Sequence, residues 1–245
     1  MGRILTEQEK LSRVGLVSTT NEGYNITLIE YIKSEHVIVQ FKNGFKKRTS
    51  YDAFLKGIVR NPFHKTIYGI GFFGDGIYKA QSKVYQTWQD MMRRCYSGES
   101  NCYIDCTVHE DWHNFQNFAK WFNINFDSTK HKKFQLDKDL LVKGNKVYGP
   151  DACCFVPGEL NTLLTKMNIK RDSNLPTGVR ETDGRFESQI TINNKTVSLG
   201  TYDTVEEASK RYKSEKQLRV QNLATKWKNY IDIKLYNVLM DIEIL

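Results

Sequence analysis

Midway along this chain stands the run Cys102-Tyr103-Ile104-Asp105-Cys106-Thr107-Val108-His109-Glu110-Asp111-Trp112-His113. Two thiols and two imidazoles are the donors of a tetrahedral zinc site. The usual finger, however, places about a dozen residues between its ligand pairs, whereas only two separate Cys106 from His109. One ion would have to draw all four donors from a segment too short to fold around it, so zinc is not expected. The alternative is a loop and helix start whose Cys and His side chains are packed or exposed singly. Further on, Asp137, Asp139 and Asp151 offer carboxylates, which a hard divalent cation such as Mg²⁺ accepts wherever they lie close together. The same aspartates also read as ordinary solvated turn residues. Gly69-Ile70-Gly71-Phe72-Phe73-Gly74 matches the dinucleotide fingerprint in spelling alone. No helical pattern follows its last glycine, and no strand–helix–strand unit surrounds it.

The elements that must position these residues are legible from periodicity. In the first sixty or so residues, Tyr24–Leu28 and His36–Phe41 alternate apolar and polar side chains, and Asn43-Gly44 is a strong hairpin signal leading into Phe45–Thr49. A small antiparallel β unit over 1–62 follows, barrel-like, with a Src-homology-three or Tudor type as one option. Lys42, Lys46, Lys47 and Arg48 cluster round its hairpin, either as phosphate contacts or as lysines guarding an edge strand. Residues 63–83, opened by the Asn61-Pro62 break and rich in glycine, read as a linker or extended arm. Tyr85, Trp88, Met92 and Cys95 recur at helical spacing over 84–96, and Phe115, Phe118, Ala119, Trp121 and Phe122 do so over 114–126. Those aromatics suit a core better than a base-stacking platform. From Gln135 to Pro157 a strand, a loop and a second strand, then a short helix with Glu159, Leu160, Leu163 and Leu164, make a ββα unit.

From Thr177 the pattern changes to three strands and a helix. Asp183-Gly184 closes a two-residue hairpin, and from Phe186 to Ile192 the faces alternate, with Phe186, Ser188, Ile190 and Ile192 on one side and Glu187, Gln189 and Thr191 on the other. Asn193-Asn194 forms a second tight turn, and Val197 and Leu199 continue the buried face. Thr204 caps a helix, with Glu207 completing a capping box and Val205, Ala208 and Tyr212 facing the sheet. Helical spacing then continues from Lys216 to Leu245. The fold class is α+β, with domains at 1–62, 84–170 and 171–245 joined by the arm.

The balance of 36 Lys and Arg against 28 Asp and Glu gives the 245-residue chain a net charge of +8. The natural partner is a polyanion, since each neutralised phosphate releases condensed counterions, although a basic protein without such a partner has the same balance. Hydrophobic residues at 40% and aromatics at 12% argue for folded domains. The five cysteines do not resemble a secreted disulfide framework. No apolar run approaches the ~20 residues of a membrane span, and no signal-peptide core is present, so a cytoplasmic protein without membrane contact is expected. The apolar C-terminal residues could equally contact a protein partner.

Two resemblances sharpen this. GVR, DGRF and LGTYDTVEEAS, over about forty residues, resemble the Apetala-two/ethylene-response-factor DNA-binding module, whose three-stranded sheet lies in the major groove. The resemblance implies double-stranded DNA as partner, with Arg180, Arg185, Gln189, Thr191 and Lys195 as contact residues. Asp183 replaces the aromatic usual beside the turn, and Gln189 and Thr191 stand where plant members carry Glu and Arg, so sequence preference does not carry over. Second, YQTWQDMMRRCY, CTVHEDWHNFQNFAKWF and the ββα unit, about eighty residues from Val84 to Thr165, resemble phage HNH homing endonucleases, in which this order of modules also recurs. That resemblance implies hydrolysis of phosphodiesters with Mg²⁺ or another divalent metal. Asp137 falls on the metal-carboxylate position, Lys138 on the general-base position and Asn145 on the loop-orienting asparagine. Ala152 falls where a distal Asn would sit. Lys138 would need its pKa lowered by several units to act as a base, with His109, His113 and His131 as substitutes. Asp139 and Asp151 could complete a rearranged metal site. Enzyme or retired scaffold, the unit is expected to serve DNA.

Overall fold

The computed structural model describes residues 5–165, 175–192 and 195–244, so the expected Asn193-Asn194 turn and the 170/171 boundary lie outside the described residues. The chain is α+β and divides into two compact units. One holds residues up to Ala80 together with Asn114–Gln116, and the other holds Gln81–His113 and Asn117 onward. Residues 63–80, read above as an arm, therefore belong to the first unit. The ββα unit and the C-terminal sheet fall together in the second.

In the first unit a short helix α1 (Glu7–Leu11) precedes a four-stranded antiparallel meander of β1 (Val17–Thr19), β2 (Asn25–Lys33), β3 (His36–Phe41) and β4 (Lys46–Thr49). The alternation in the sequence explains its core. Ile26, Leu28, Val37 and Val39 are fully buried with Phe41, and helix α2 (Tyr51–Leu55), capped by Ser50, adds Phe54. Gly44 takes φ +87° at the hairpin, a conformation that glycine adopts without a steric penalty.

The second unit begins with α3 (Lys83–Tyr96), capped by Ser82, whose Trp88, Met91 and Met92 are buried. After β5 (Thr107–Val108) comes α4 (Phe115–Asn125). The Trp88 indole N–H donates to the Trp112 carbonyl at 2.7 Å, and Trp112, Phe118, Trp121 and Phe155 form a chain of ring contacts of 4.7 to 6.2 Å. The aromatics at helical spacing are thus core. Strands β6 (Phe134–Asp137), β7 (Val147–Tyr148) and β8 (Cys154–Pro157) lead to α5 (Gly158–Thr165); β6 pairs antiparallel with β8, and β7 pairs parallel with β5. The terminal sheet has β9 (Val179–Thr182), β10 (Arg185–Ile192) and β11 (Lys195–Tyr202) in the order β11-β10-β9.

Helix α6 (Val205–Trp227) joins these parts. Its first turns bury Ala208 and Tyr212 and pack on the sheet; its last turns bury Val220 and Ala224 against Cys154, Val156, Leu160 and Leu164 of the ββα unit. With 23 residues it is about 34 Å long. The helical spacing after Lys216 is not one rod: α6 ends at Trp227, and α7 (Ile233–Met240), capped by Asp232, returns Leu235 and Leu239 to the same core. Among the described residues no helix is long and apolar enough to cross a membrane.

Candidate functional site

Strand β6 ends in Asp137, and the chain there turns tightly on its own side chains. Asp137 Oδ1 accepts the N–H groups of Asp139 and Leu140 at 3.0 and 2.9 Å. Lys138, only 8% exposed, donates from Nζ to Asp139 Oδ2 at 3.0 Å and lies 5.8 Å from the centre of the Tyr148 ring. The Asn145 carboxamide closes the loop: Nδ2 donates to the carbonyls of Lys138 and Val147 at 2.6 and 2.7 Å, and Oδ1 accepts the Val147 N–H at 3.1 Å. One side chain thereby holds both ends of the stretch between β6 and β7. Asn145→Ala leaves two carbonyls and an N–H without this partner, and should cost about 2–4 kcal/mol of stability, read from the urea midpoint. A cost under ~0.5 kcal/mol would show that water replaces it.

Burial, with the Asp139 charge beside it, pushes the Asp137 carboxyl up to about 6. Burial works to lower the Lys138 pKa, but the hydrogen bond and charge of Asp139 outweigh it and the net shift is upward. That direction keeps an ammonium here at neutral pH and is opposite to what a general base requires. The surrounding thiols are no better nucleophiles: burial pushes Cys95 and Cys153 up to about 12 and raises Cys154 as well.

Lys138 stands where the resemblance implies the general base, and its ammonium is paired with Asp139. Asp137 spends one oxygen on two backbone N–H groups, and Asp151 is exposed. Among the described residues no group of three His, Cys, Asp or Glu side chains is placed to hold an ion. Asp137 and Asp139 thus bring two carboxylates together, each with one oxygen already engaged within the loop. The Cys102, Cys106, His109, His113 set does not converge. Cys102 is exposed and Cys106 buried, His109 Nδ1 accepts the Asp111 N–H at 3.3 Å, and His113 Nε2 is 3.0 Å from the Val108 carbonyl. His131 is likewise held by backbone, accepting the Asp127 N–H at 3.1 Å and donating to the Tyr230 carbonyl at 2.8 Å.

On the terminal sheet, Asp183 and Gly184 take φ +51° and +76°, and this turn sets the register Thr182↔Arg185, Glu181↔Phe186, Arg180↔Glu187. Val179, Ser188 and Ile190 are buried under α6, so Arg180, Glu187, Gln189 and Thr191 share the opposite face with Ser198 and Thr196. Arg180 and Arg185 have side chains 58% and 52% exposed and point away from the core. Both are paired, Arg180 with Glu187 across the strands and Arg185 with Asp203 at 2.8 Å. Thr191 and Lys195 are exposed and Gln189 is half-buried, its N–H donating to the Gly178 carbonyl. Lys195 lies opposite Ile192, which by parity belongs to the helix-side face, so it stands apart from the other four. Val197, expected to be buried, is 40% exposed beyond the helix's cover, and a bulge between Ser188 and Gln189 interrupts the register beside Leu199. The expected cap at Thr204 is present, its Oγ1 accepting the Glu207 N–H at 3.3 Å.

Glu187 was foreseeable as the partner of Arg180, because a two-residue turn at Asp183-Gly184 puts them opposite one another. Asp203 gave no local signal. In the first unit Lys42 and Lys46 are exposed, while Lys47 donates to the Arg60 carbonyl at 2.6 Å. Comparison with protein-family models, with curated proteins and with solved structures finds no match to this chain.

Proposed function

We propose that this chain is a double-stranded-DNA-binding protein that lays the helix-free face of β9–β11 against the duplex. One observation carries the reading. The sheet presents Arg180, Arg185, Gln189 and Thr191 outward while α6 seals its other side, in a chain of net charge +8. The pairs with Glu187 and Asp203 hold the guanidiniums upright in the free protein. On DNA each arginine exchanges its carboxylate partner for a phosphate or a base edge. The Asp203 side chain is 80% exposed and that pair costs little to open, while Glu187 at 15% makes Arg180 the costlier of the two to release. Such a protein acts where DNA is, in the cytoplasm of a bacterial host. Titrating a labelled twenty-base-pair duplex should give an affinity that falls steeply with salt. Arg180→Ala and Arg185→Ala should each weaken it by about 5- to 100-fold, in the range of single arginine contacts. Binding that ignores salt, or variants that bind as the native chain does, would overturn the reading.

A second reading, phosphodiester cleavage, is favoured by the Asp137 carboxyl, lifted to about 6 beside the Lys138 ammonium: an acid–base group near neutrality next to a fixed cation. Among the described residues no third His, Cys, Asp or Glu side chain joins Asp137 and Asp139 there. Incubating supercoiled plasmid with the native chain and with Asp137→Ala, in Mg²⁺, in Mn²⁺ and in chelator, separates the two readings. Nicking that Asp137→Ala abolishes makes the protein an enzyme, and intact plasmid throughout leaves it a binder.

A further inference from the structure

Where β6 begins and α6 ends, the second unit has a cavity of about 450 Å³ that the sheet reading leaves unused. Its walls include Lys130, Lys132, Lys133 and Lys226, and its apolar lining includes Phe134, Pro157 and Trp227. The indole is firmly placed. It meets Phe134 edge to face at 5.4 Å and Tyr230 at 5.7 Å, and its N–H donates to Glu159 Oε1. Lys226 Nζ binds the same oxygen at 2.7 Å and lies 5.2 Å from the centre of the indole ring, so the one carboxylate in the lining is already neutralised. Lys130 is paired with Asp127 at 3.4 Å. Among the described residues Lys132 and Lys133, both exposed, have no carboxylate within ion-pair distance.

From this geometry we infer that the groove takes an unpaired nucleotide, its base against Trp227 and its phosphate on Lys132 and Lys133. The inference rests on the DNA reading above and adds the form of DNA engaged at a second place. A duplex backbone would use the lysines but not the aromatic floor, because its bases are stacked inside the helix. A single-stranded position exposes a base face and a phosphate together, which is the pairing that a cationic groove with an aromatic floor selects. The volume is within the range of small-ligand pockets.

The test uses the full chain and intrinsic tryptophan fluorescence. Single-stranded oligo(dT) should quench it, and Trp227→Phe should remove the quench, since of the other three tryptophans Trp88 and Trp112 are buried at 0% and 2% exposure. The third, the half-buried Trp121, packs on Trp112 and Phe155 with its N–H on the Pro150 carbonyl, away from the groove lining. A Lys132→Ala/Lys133→Ala double variant touches only exposed side chains and keeps the fold. It should weaken oligo(dT) binding about tenfold and lower the salt slope by roughly one to two. A duplex with a central single-stranded gap should bind about tenfold tighter than the intact duplex. Quenching that survives in Trp227→Phe, or equal affinity for gapped and intact duplex, overturns the inference. The Arg180→Ala effect on intact duplex reads the sheet separately, so loss of the groove and loss of the sheet reading are told apart.

Discussion

Gly178→Ala is expected to destabilise the protein by about 3–5 kcal/mol and, on the proposed DNA-binding function, to abolish duplex binding at temperatures where the native chain is folded. Gly178 sits at φ +83°, where a side chain is strained, and a Cβ there would lie 2.1 Å from the Tyr212 ring. Any shift of that ring disturbs a buried contact: Tyr212 is 8% exposed, and its hydroxyl accepts a hydrogen bond from Lys216 Nζ at 3.2 Å. The backbone is held too, because the Gly178 carbonyl accepts the Gln189 N–H at 2.7 Å. Gly184→Ala is the control. Its φ is +76°, but open space surrounds its Cβ position, so only the backbone cost of about 1 kcal/mol applies. Urea unfolding of the two variants side by side checks the claim, and equal midpoints would sink it.

Lys138→Met should cost about 2–3 kcal/mol at pH 8 and much less at pH 5. The methionine keeps the packed stem but removes the cation, leaving Asp137 and Asp139 facing each other. The cost stays below that of a fully enclosed pair because the Asp139 side chain remains 48% exposed. The sign follows from Asp137, whose folded pKa of about 6 exceeds the reference value of 3.8. Its contribution to stability is present in full below about pH 4 and is lost as pH rises through 6. Without Lys138 the carboxyl rises further and the loss with pH steepens. Asp137→Asn keeps an acceptor for the Asp139 and Leu140 N–H groups and should flatten the curve between pH 4 and 7. A Lys138→Met deficit that does not change with pH would mean that packing, not charge, was removed.

Local pattern made much of this fold readable. The alternation from Phe186 to Ile192 and the Asp183-Gly184 turn together fix which side chains share a face, because a strand has period two and a two-residue turn leaves no freedom of register. The buried aromatics of α3 and α4 were readable for the same kind of reason, a stripe at helical spacing. Long-range placement was not. Nothing near Lys132 announces Trp227, and nothing near Arg185 announces Asp203, since those neighbours are brought together by packing over long sequence separations. The break after Trp227 was hidden because the apolar spacing continues through Ile231 and Leu235 on both sides of it. Asn145 was readable as a loop residue, but its three hydrogen bonds depend on where β7 places Val147. Lys138 shows the limit most clearly. Its type alone left open a lowered or a raised pKa, and only the position of the Asp139 carboxylate decides the direction.

The unbroken course of α6 makes the second unit a ruler. Ala208 under the sheet and Lys226 at the groove are about 27 Å apart along the axis, a span of roughly eight base pairs of B-form duplex. One added residue in its middle would swing one end by about 100° relative to the other while lengthening it by only 1.5 Å. Phase rather than distance would then be lost, and the two contacts proposed above could no longer meet the same side of one DNA molecule.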